Sequence, residues 1–344
     1  MTIAVERFAG DPEEWDRFVL TEPAATHFHR FAWSEVMRRG LGHQTVWLAA
    51  RAAGDGRLAG VLPLVRVKSV IFGHYLVSMP FVNYGGPLGD PAVARALVEE
   101  AVRLARGDRV RLLELRNRYP LDIPLAASHR KITVTLDLPS TEGALWSQLP
   151  SKVRSQVRRP EKEGVTVAFG ADRVGAFYQV FSTHMRDLGT PVMPRRFFEL
   201  LPEIFGESVW FAVALHGDRP IAAGAGFRWG EEFEITWAAS LREWSRTAPN
   251  MALYWAFMKR CVADGARRFN FGRCTPGSGT HRFKQQWGGV DEQLWWYQDS
   301  PDSKSVTKPL SPDRGLLAVG ARVWSHLPLS VANVIGPRIV RFIP

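Results

Sequence analysis

The sequence is poor in cysteine. Only Cys261 and Cys274 occur among its 344 residues, whereas a small secreted domain held together by disulfides would carry more of them. The two are not spaced as a CxxC pair, which is the usual half of a structural zinc site. His27 and His29 alternate as in a strand but have no further ligands nearby in the sequence. We therefore expect neither a disulfide framework nor a metal site.

Long apolar runs are also missing. No uncharged apolar run reaches the roughly 18 residues that a membrane-spanning helix needs. Residues 1–8 (MTIAVERF) do not combine a basic region with an apolar core, so we expect no signal peptide. The expected compartment is the cytoplasm. The net charge is +10 and the pI about 10.0, which suits a polyanionic partner or, alternatively, serves solubility alone.

The most informative feature of the sequence is an internal repeat. A chain of this length exceeds one ordinary core, so two domains are expected. Two segments share the pattern of a strand, a Gly-Asp turn and a second strand, which predicts a β-hairpin. They are VWLA at 46–49 with Gly54-Asp55 and Leu58-Ala59, and VWFA at 209–212 with Gly217-Asp218 and Ile221-Ala222. Every matching pair is offset by 163 positions.

The flanks of the two hairpins agree with this repeat. Two helices are predicted before each hairpin, and a long helix and a strand after it. The predicted segments are a helix from Asp11, 31–39, 91–106 and 109–116 around the first hairpin, and 172–186, 195–201, 250–263 and 268–271 around the second. This order resembles the GNAT (N-acyltransferase) fold, an α/β (α+β) architecture of mixed sheets flanked by helices.

We therefore predict tandem GNAT-like domains at 1–150 and 151–300, followed by a linker and tail at 301–344. The tail is apolar with scattered arginines, and Pro328 and Pro337 limit it to two short helices at most. It either packs back onto the body or makes a peripheral contact with the inner membrane surface.

The segment 151–159 (SKVRSQVRR) is basic and amphipathic. Arg154 and Arg158 lie four residues apart on one helical face, and Val153 and Val157 form an apolar face. Pro160 is expected to kink or end this helix. Arginine forks suit phosphate and carboxylate oxygens, although a solvated basic face is the simpler interpretation.

The segment 271–289 (FGRCTPGSGTHRFKQQWGG) predicts a strand, a glycine-rich loop and a short helix. Its glycines match neither the P-loop nor the dinucleotide-binding pattern. Lys284 lies about one turn inside the helix, near Phe283 and Trp287. It is either partly desolvated and poised against a carbonyl, or a surface lysine whose stem covers the aromatic rings.

Several motifs in this order resemble the FemAB family of aminoacyltransferases. They are Arg282-Phe283-Lys284 with Trp287-Gly288, the turn from Asn83-Tyr84 to Asp90, and the basic segment 152–164. Met185–Pro191 and Phe271-Gly272-Arg273 resemble more narrowly the FemAB-related proteins of exopolysaccharide and exosortase (PEP-CTERM) systems. The resemblance spans roughly residues 25–300.

The resemblance implies an acyltransferase in which an amine attacks an ester carbonyl. It implies that Lys284 stabilises the oxyanion, and that substrate is bound by Lys152, Arg154, Arg158, Arg186, Arg273, Asn83 and Tyr84. The implied partners are a nucleotide- or lipid-linked sugar precursor and an activated acyl donor, usually aminoacyl-tRNA, with no bound cofactor.

Two departures leave alternatives open. The coiled-coil arm of some Fem proteins is absent, which counts against peptidoglycan-bridge synthesis. Residues 245–250 (SRTAPN) lack the glycines with which GNAT enzymes bind the pyrophosphate of acyl-CoA, which favours tRNA. The alternatives are an acyl-CoA-dependent N-acyltransferase and a non-enzymatic basic scaffold that binds RNA or membrane.

Overall fold

The computed structural model describes residues 3–69, 73–300 and 316–343. They divide into two compact units. Unit 1 comprises residues 3–131, 293–300 and 339–343, and unit 2 comprises residues 132–292 and 316–338. The stretch 301–315, which belongs to the predicted linker, lies outside the described residues.

The first part of the chain folds as two helices, a strand meander, a long helix and further strands. The elements are β1 (Ile3–Arg7), α1 (Pro12–Thr21), α2 (Trp33–Leu41), β2 (Gln44–Ala52), β3 (Leu58–Ser69), β4 (Gly73–Val77), β5 (Leu88–Gly89), α3 (Pro91–Gly107), β6 (Leu112–Asn117) and β7 (Ala126–Ser128). Helix α3 starts where the sequence predicts it, because the Asp90 carboxylate accepts from Val93 N (2.9 Å) and Pro91 occupies the first helical position.

The second part repeats this order. Its elements are β8 (Ile132–Asp137), α4 (Glu142–Gln148), α5 (Ser151–Lys162), β9 (Val165–Phe169), α6 (Val174–Asp187), α7 (Arg195–Phe205), β10 (Val209–His216), β11 (Arg219–Trp229), β12 (Glu232–Ser240), α8 (Pro249–Ala263), β13 (Arg268–Cys274), α9 (Gly279–Gln285), β14 (Val290–Gln293), β15 (Trp295–Asp299), α10 (Leu316–Ser325) and α11 (Leu329–Val340). None of the helices within the described residues combines the length and the hydropathy that crossing a bilayer requires.

The two sheets have the same topology. In unit 1 the strand order is β1-β2-β3-β4-β6-β15-β7, with β5 beside β3, and in unit 2 it is β9-β10-β11-β12-β13-β8-β14. In each sheet four antiparallel strands are followed by one parallel pair, β4 with β6 and β12 with β13. Mixed sheets flanked by helices confirm the predicted fold class.

The hairpin repeat is preserved in the pairing register. Val46 pairs with Leu64 in unit 1, and Val209 pairs with Phe227 in unit 2, at the same offset in the chain. Trp47 and Trp210 likewise occupy equivalent positions, opposite Pro63 and Gly226. The sequence repeat therefore reflects a repeat of backbone hydrogen bonding as well as of composition.

Each sheet contains a strand from the other half of the chain. β8 lies before residue 150 but pairs with β13, and β15 follows unit 2 in the chain but pairs with β6. The division of the structure thus differs from the predicted one at 150 and 300. The reason is that these pairings join distant segments, whereas the prediction followed chain order.

Helices cover both faces of the unit 2 sheet. On one face, α5 and α8 bury Val153, Val157 and Phe257 in a core that also holds Trp287. On the other face, Phe177 and Phe198 of α6 and α7 pack against strand aromatic rings. For α5 the buried side chains Val153 and Val157 are the apolar face that its amphipathic pattern predicts.

Two local expectations are corrected. Helix α5 runs two residues past Pro160, because a proline so close to the helix end removes only one backbone hydrogen bond. His27 and His29 lie in a short 3-10 turn instead of a strand, since the His29 ring accepts from Thr26 N (3.0 Å).

Candidate active site

Lys284 lies in the last turn of α9 and is 3% exposed. Its ammonium group donates to the carbonyl oxygens of Gly272 (2.5 Å) and Arg273 (2.9 Å). Both carbonyls belong to β13, whose register against β8 shifts between Asn270 and Arg273. Gly272 has a φ of +71°, which side chains rarely adopt. An irregular stretch of β13 thus offers two successive carbonyl oxygens to one cation.

Burial lowers the pKa of Lys284 from 10.5 to about 8, because leaving water disfavours the charged form. The neighbouring Arg273 adds to this lowering, while Cys274 and Glu234 oppose it. At neutral pH the group remains a cation in surroundings where its field acts more strongly than in water. The third N–H bond of Lys284 has no acceptor among the described residues, so it can donate to a substrate oxygen.

Asn270 holds the irregular stretch of β13 in place. Its side chain is completely buried, and its Oδ1 accepts from Gly272 N (2.8 Å) and Thr133 Oγ1 (2.6 Å). Its Nδ2 donates to a carboxylate oxygen of Glu232 (2.9 Å). Asn270 thus anchors the backbone N–H of Gly272, the residue whose carbonyl oxygen accepts from Lys284.

His281 and Asp291 support the same helix. Gly277 N donates to His281 Nδ1 (2.9 Å), so the ring proton lies on Nε2, which donates to the Asp291 carboxylate (2.9 Å). Ser278 caps α9 by accepting from His281 N (3.1 Å). His281 and Asp291 together connect the glycine-rich loop to α9 and connect α9 to β14. These contacts orient the helix that carries Lys284.

These supporting residues were missed from the sequence. Asn270 directly precedes the Phe271-Gly272-Arg273 motif, and that adjacency was the one available signal. Nothing in the spacing of His281 and Asp291 indicates their contact, because Asp291 belongs to a separate strand.

β12 and β13 separate beside Lys284. Their parallel pairing ends at Glu234–Asn270. β12 continues to Ser240 and β13 to Cys274, with no further pairing between them among the described residues. The facing edges of two strands are therefore left for an extended ligand, next to the carbonyls that hold Lys284.

Unit 1 has the same strand arrangement, but there the chain itself bridges the separation. Beyond the parallel pairs of β4 and β6, Ser78 N donates to Glu114 O (2.9 Å) and Gly85 N donates to Arg116 O (3.0 Å). β5, at the end of this segment, pairs with β3. The segment 78–89 thus occupies in unit 1 the place that remains unpaired in unit 2.

A cavity of about 580 Å³ lies in unit 1 next to this segment. Arg116 and Asn117 line it, and both are at least nine-tenths buried. Arg116 Nε donates to Glu114 (2.8 Å), and its guanidinium lies over the Trp296 ring at 4.5 Å. Arg116 Nη1 and Asn117 Oδ1 have no hydrogen-bond partner within the described chain. Both atoms are buried in the cavity wall, so this wall contains a donor and an acceptor that are unsatisfied within the described residues.

Gly86 and His29 shape the wall of this cavity. A Cβ atom at Gly86 would lie 1.7 Å from Asn117 Oδ1, so only glycine fits. His29 Nε2 donates to Gly86 O (3.0 Å). Burial lowers the pKa of His29 to about 4, which keeps the ring neutral.

The predicted basic helix α5 has the expected apolar face, but its arginines have protein partners. Arg154 Nη1 donates to Leu149 O (2.8 Å) just after the end of α4. Arg158 is exposed and lies over the Trp146 ring at 5.0 Å. Lys152 is exposed. Arg154 thus closes a helix end, and Lys152 and Arg158 face solvent.

The other predicted site residues are divided between the units. Tyr84 lines the unit 1 cavity and Asn83 is buried beside it in the chain. In unit 2, Arg273 contributes its carbonyl to Lys284. Arg186 pairs with Asp187 (2.7 Å) and donates to Leu327 O (3.1 Å), which ties it to the connection between α10 and α11.

Comparison with protein families agrees with this geometry. Residues 149–285 match the family described as the Acetyltransferase (GNAT) domain. This stretch lies within unit 2, and its likeness to that family supports an acyltransferase activity. A search of the curated proteins finds no significant sequence match.

Solved structures resemble nearly the whole chain. FemX superposes with a TM-score of 0.64 at 14% identity, covering 85% of this chain and 97% of that one. The C-terminal domain of a putative lysylphosphatidylglycerol synthetase from Agrobacterium fabrum gives 0.57 at 14%, covering 86% and 93%. A tandem GNAT protein of the clavulanic acid pathway gives 0.52 at 13%, covering 87% and 98%. At such low identity these likenesses concern the fold, and they confirm the prediction of two GNAT-like units in tandem.

Proposed function

We propose that the chain transfers an acyl or aminoacyl group onto an amino group of a cell-envelope or exopolysaccharide precursor. The observation that carries the proposal is the buried Lys284 ammonium group, held by two backbone carbonyls within the segment that matches the acetyltransferase family. The resemblance of the sequence to FemAB-related proteins supports an amine as the acceptor.

Lys284 acts on the charge that develops during transfer. The acceptor amine attacks the donor carbonyl carbon, a C–N bond forms, and the carbonyl oxygen becomes an oxyanion. Collapse of this intermediate breaks the bond to the leaving oxygen or sulfur, and the amine loses a proton to solvent or to the leaving group. The unused N–H bond of Lys284 donates to the oxyanion, and its positive charge stabilises that oxygen more than the neutral carbonyl.

The donor binds between β12 and β13. These strands offer unpaired edges, whereas the equivalent edges of unit 1 are occupied by residues 78–89. The basic charge of the chain and the exposed Lys152 and Arg158 on α5 suit an aminoacyl-tRNA donor. The family match and the strand separation also favour a second candidate, an acyl-CoA-dependent N-acyltransferase.

The acceptor binds in the unit 1 cavity. The residues that line it include the cation Arg116, the amide Asn117 and the aromatic Tyr84, which suits an acceptor with both polar and apolar parts. The structural likeness to the domain of a putative lysylphosphatidylglycerol synthetase supports a cell-envelope component as acceptor. A nucleotide- or lipid-linked sugar precursor is the acceptor that the FemAB resemblance favours.

The test measures donor binding and turnover separately. Purified protein is titrated with acetyl-CoA and with aminoacyl-tRNA while its thermal unfolding is followed. A ligand at about 100 times its dissociation constant raises the free energy of unfolding by about 2.7 kcal/mol. Lys284→Met is compared with Lys162→Met, which removes an exposed charge from α5.

We expect Lys284→Met to keep donor binding and to lower kcat about a hundredfold, the usual effect of losing one oxyanion donor. Lys162→Met should leave kcat unchanged. Binding of acetyl-CoA alone would favour the second candidate, and binding of charged tRNA alone the first. Unchanged turnover in Lys284→Met would refute the role of the lysine.

A further inference from the structure

The two C-terminal helices expose apolar side chains where surface helices normally expose polar ones. Val319 and Val323 of α10 are 61% and 60% exposed, and Val334 of α11 is 57% exposed. Val331 and Ile335 of α11 are exposed as well. We call these five side chains the tail stripe. On each helix they recur at a spacing of three or four residues, so they share one face of that helix.

The opposite face of each helix is already packed on unit 2. Ala332 and Gly336 are buried, and a Cβ atom at Gly336 would lie 3.1 Å from Val192 N. The connection between the helices is held by Arg186, which donates to Leu327 O (3.1 Å). The tail stripe is therefore the outward face of a docked pair of helices, and its exposure follows from that docking.

Within the two tail helices and their connection the formal charge is of one sign. Residues 316–343 contain three arginines and neither aspartate nor glutamate. Arg322 lies beside Val319 and Val323, and Arg338 lies one turn after Val334 and Ile335. Both arginines are exposed and make no ion pair with the described part of the chain. The surface thus combines exposed valines with uncompensated guanidinium groups.

We propose that the tail stripe docks on an anionic lipid surface, with α10 and α11 lying in the plane of the headgroups. The apolar side chains enter the boundary between headgroups and acyl chains, while the arginines reach lipid phosphates. Docking of a second copy on the same face would bring arginines of like charge together, which disfavours a dimer as the occupant. The proposal does not depend on the transfer reaction, although it would bring the enzyme to a lipid-linked acceptor.

The experiment uses the full chain and vesicle co-sedimentation, so it needs no enzyme activity. Binding is measured to vesicles of phosphatidylcholine alone and of phosphatidylcholine mixed with phosphatidylglycerol. Val323→Ser and Val334→Ser test the apolar contact, and Arg338→Gln tests the charge. Val290→Ser is the matched control, because Val290 is 67% exposed on β14, outside the tail stripe.

We expect binding to the mixed vesicles that weakens at high salt. Each valine substitution should lower the partition coefficient about tenfold, the effect of removing one buried valine side chain. Arg338→Gln should lower it about fivefold. Val290→Ser should leave it unchanged. Thermal unfolding of each variant confirms that it is folded.

Three results would overturn the proposal. The first is no binding of the wild-type chain to either vesicle, and the second is equal loss of binding in Val290→Ser. The third is self-association that Val323→Ser abolishes, seen in sedimentation velocity without vesicles, since a second copy of the chain would then cover the stripe.

Discussion

Replacing Lys284 by methionine removes a buried cation while keeping a side chain of similar length. In the folded chain the pKa of this group is lowered from 10.5 to about 8 by burial. The unfolded chain therefore binds more protons than the folded chain between these two pH values. Lys284 therefore does not lower the free energy of unfolding above pH 10.5, where it is neutral in both states. The free energy of unfolding falls as the pH falls from 10.5 through 8, because the folded chain must then hold a buried charge.

The size of the effect follows from the two pKa values. Each pH unit between them corresponds to about 1.4 kcal/mol, so keeping Lys284 charged in the folded state costs about 3 kcal/mol below pH 8. Between pH 7 and pH 9.5 this cost should fall by about 2 kcal/mol. In Lys284→Met the carbonyls of Gly272 and Arg273 lose their donor, which is costly but independent of pH.

The assay compares the pH dependence of unfolding in two proteins. The free energy of unfolding is measured by urea denaturation across this pH range for wild type and for Lys284→Met. Groups that do not interact with Lys284 titrate equally in both proteins, so the difference between the curves reports Lys284 together with the neighbouring Cys274 thiol. Wild type should gain about 2 kcal/mol relative to the variant as the pH rises. Lys162→Met, at an exposed position, should run parallel to wild type.

Parallel curves for wild type and Lys284→Met would refute the reasoning. They would mean that the ammonium group is solvated and that its field is screened. The stabilisation of an oxyanion by Lys284 would then lose its physical basis, because that role requires a cation in surroundings of low dielectric.

Three further predictions concern the rest of the site. In a transfer assay, kcat/KM should fall as the pH rises through about 8, since deprotonation of Lys284 removes its charge; a flat alkaline profile in wild type would contradict this. Asn270→Leu should lower kcat more than it raises KM, because it releases the backbone N–H of Gly272, whose carbonyl oxygen accepts from Lys284; a higher KM with an unchanged kcat would contradict this. Gly86→Ala should lower the free energy of unfolding by about 1–3 kcal/mol, because its Cβ would overlap Asn117, whereas Gly143→Ala in the open on α4 should be neutral or stabilising.

The two halves of the chain have the same sheet topology but differ in the connection that precedes the long helix. Both have the same strand order, and the hairpins keep the same register. In unit 1, however, the longer connection before α3 folds onto the edge of β6. In unit 2 the connection before α8 is shorter, and beyond Asn270 β13 pairs with β8 but not with β12 among the described residues. The two units therefore differ at the equivalent place in the sheet. Unit 1 has a cavity beside its longer connection, whereas unit 2 has a gap between β12 and β13 beside the buried Lys284.

The order of helices and strands was predictable from the sequence because its signals are local. Asp90-Pro91 marks the start of α3, and the repeat that contains Trp47 and Trp210 marks two hairpins. Such signals depend on neighbours within a few residues, where backbone geometry follows side-chain chemistry directly. The motif around Lys284 also directed attention to α9, although its spacing suited an exposed lysine equally well.

Sequence by itself determined the tandem α/β architecture, the two hairpins and the helix that carries Lys284. Only the tertiary structure decided that this lysine is buried, that Asn270 anchors the backbone N–H of Gly272, and that Arg154 and Arg186 have partners within the protein. It also placed β8 and β15 in the sheets of the opposite halves. The physical reason is that burial, long-range strand pairing and the pKa of a buried group depend on atoms that are distant in sequence and become neighbours only when the chain is packed.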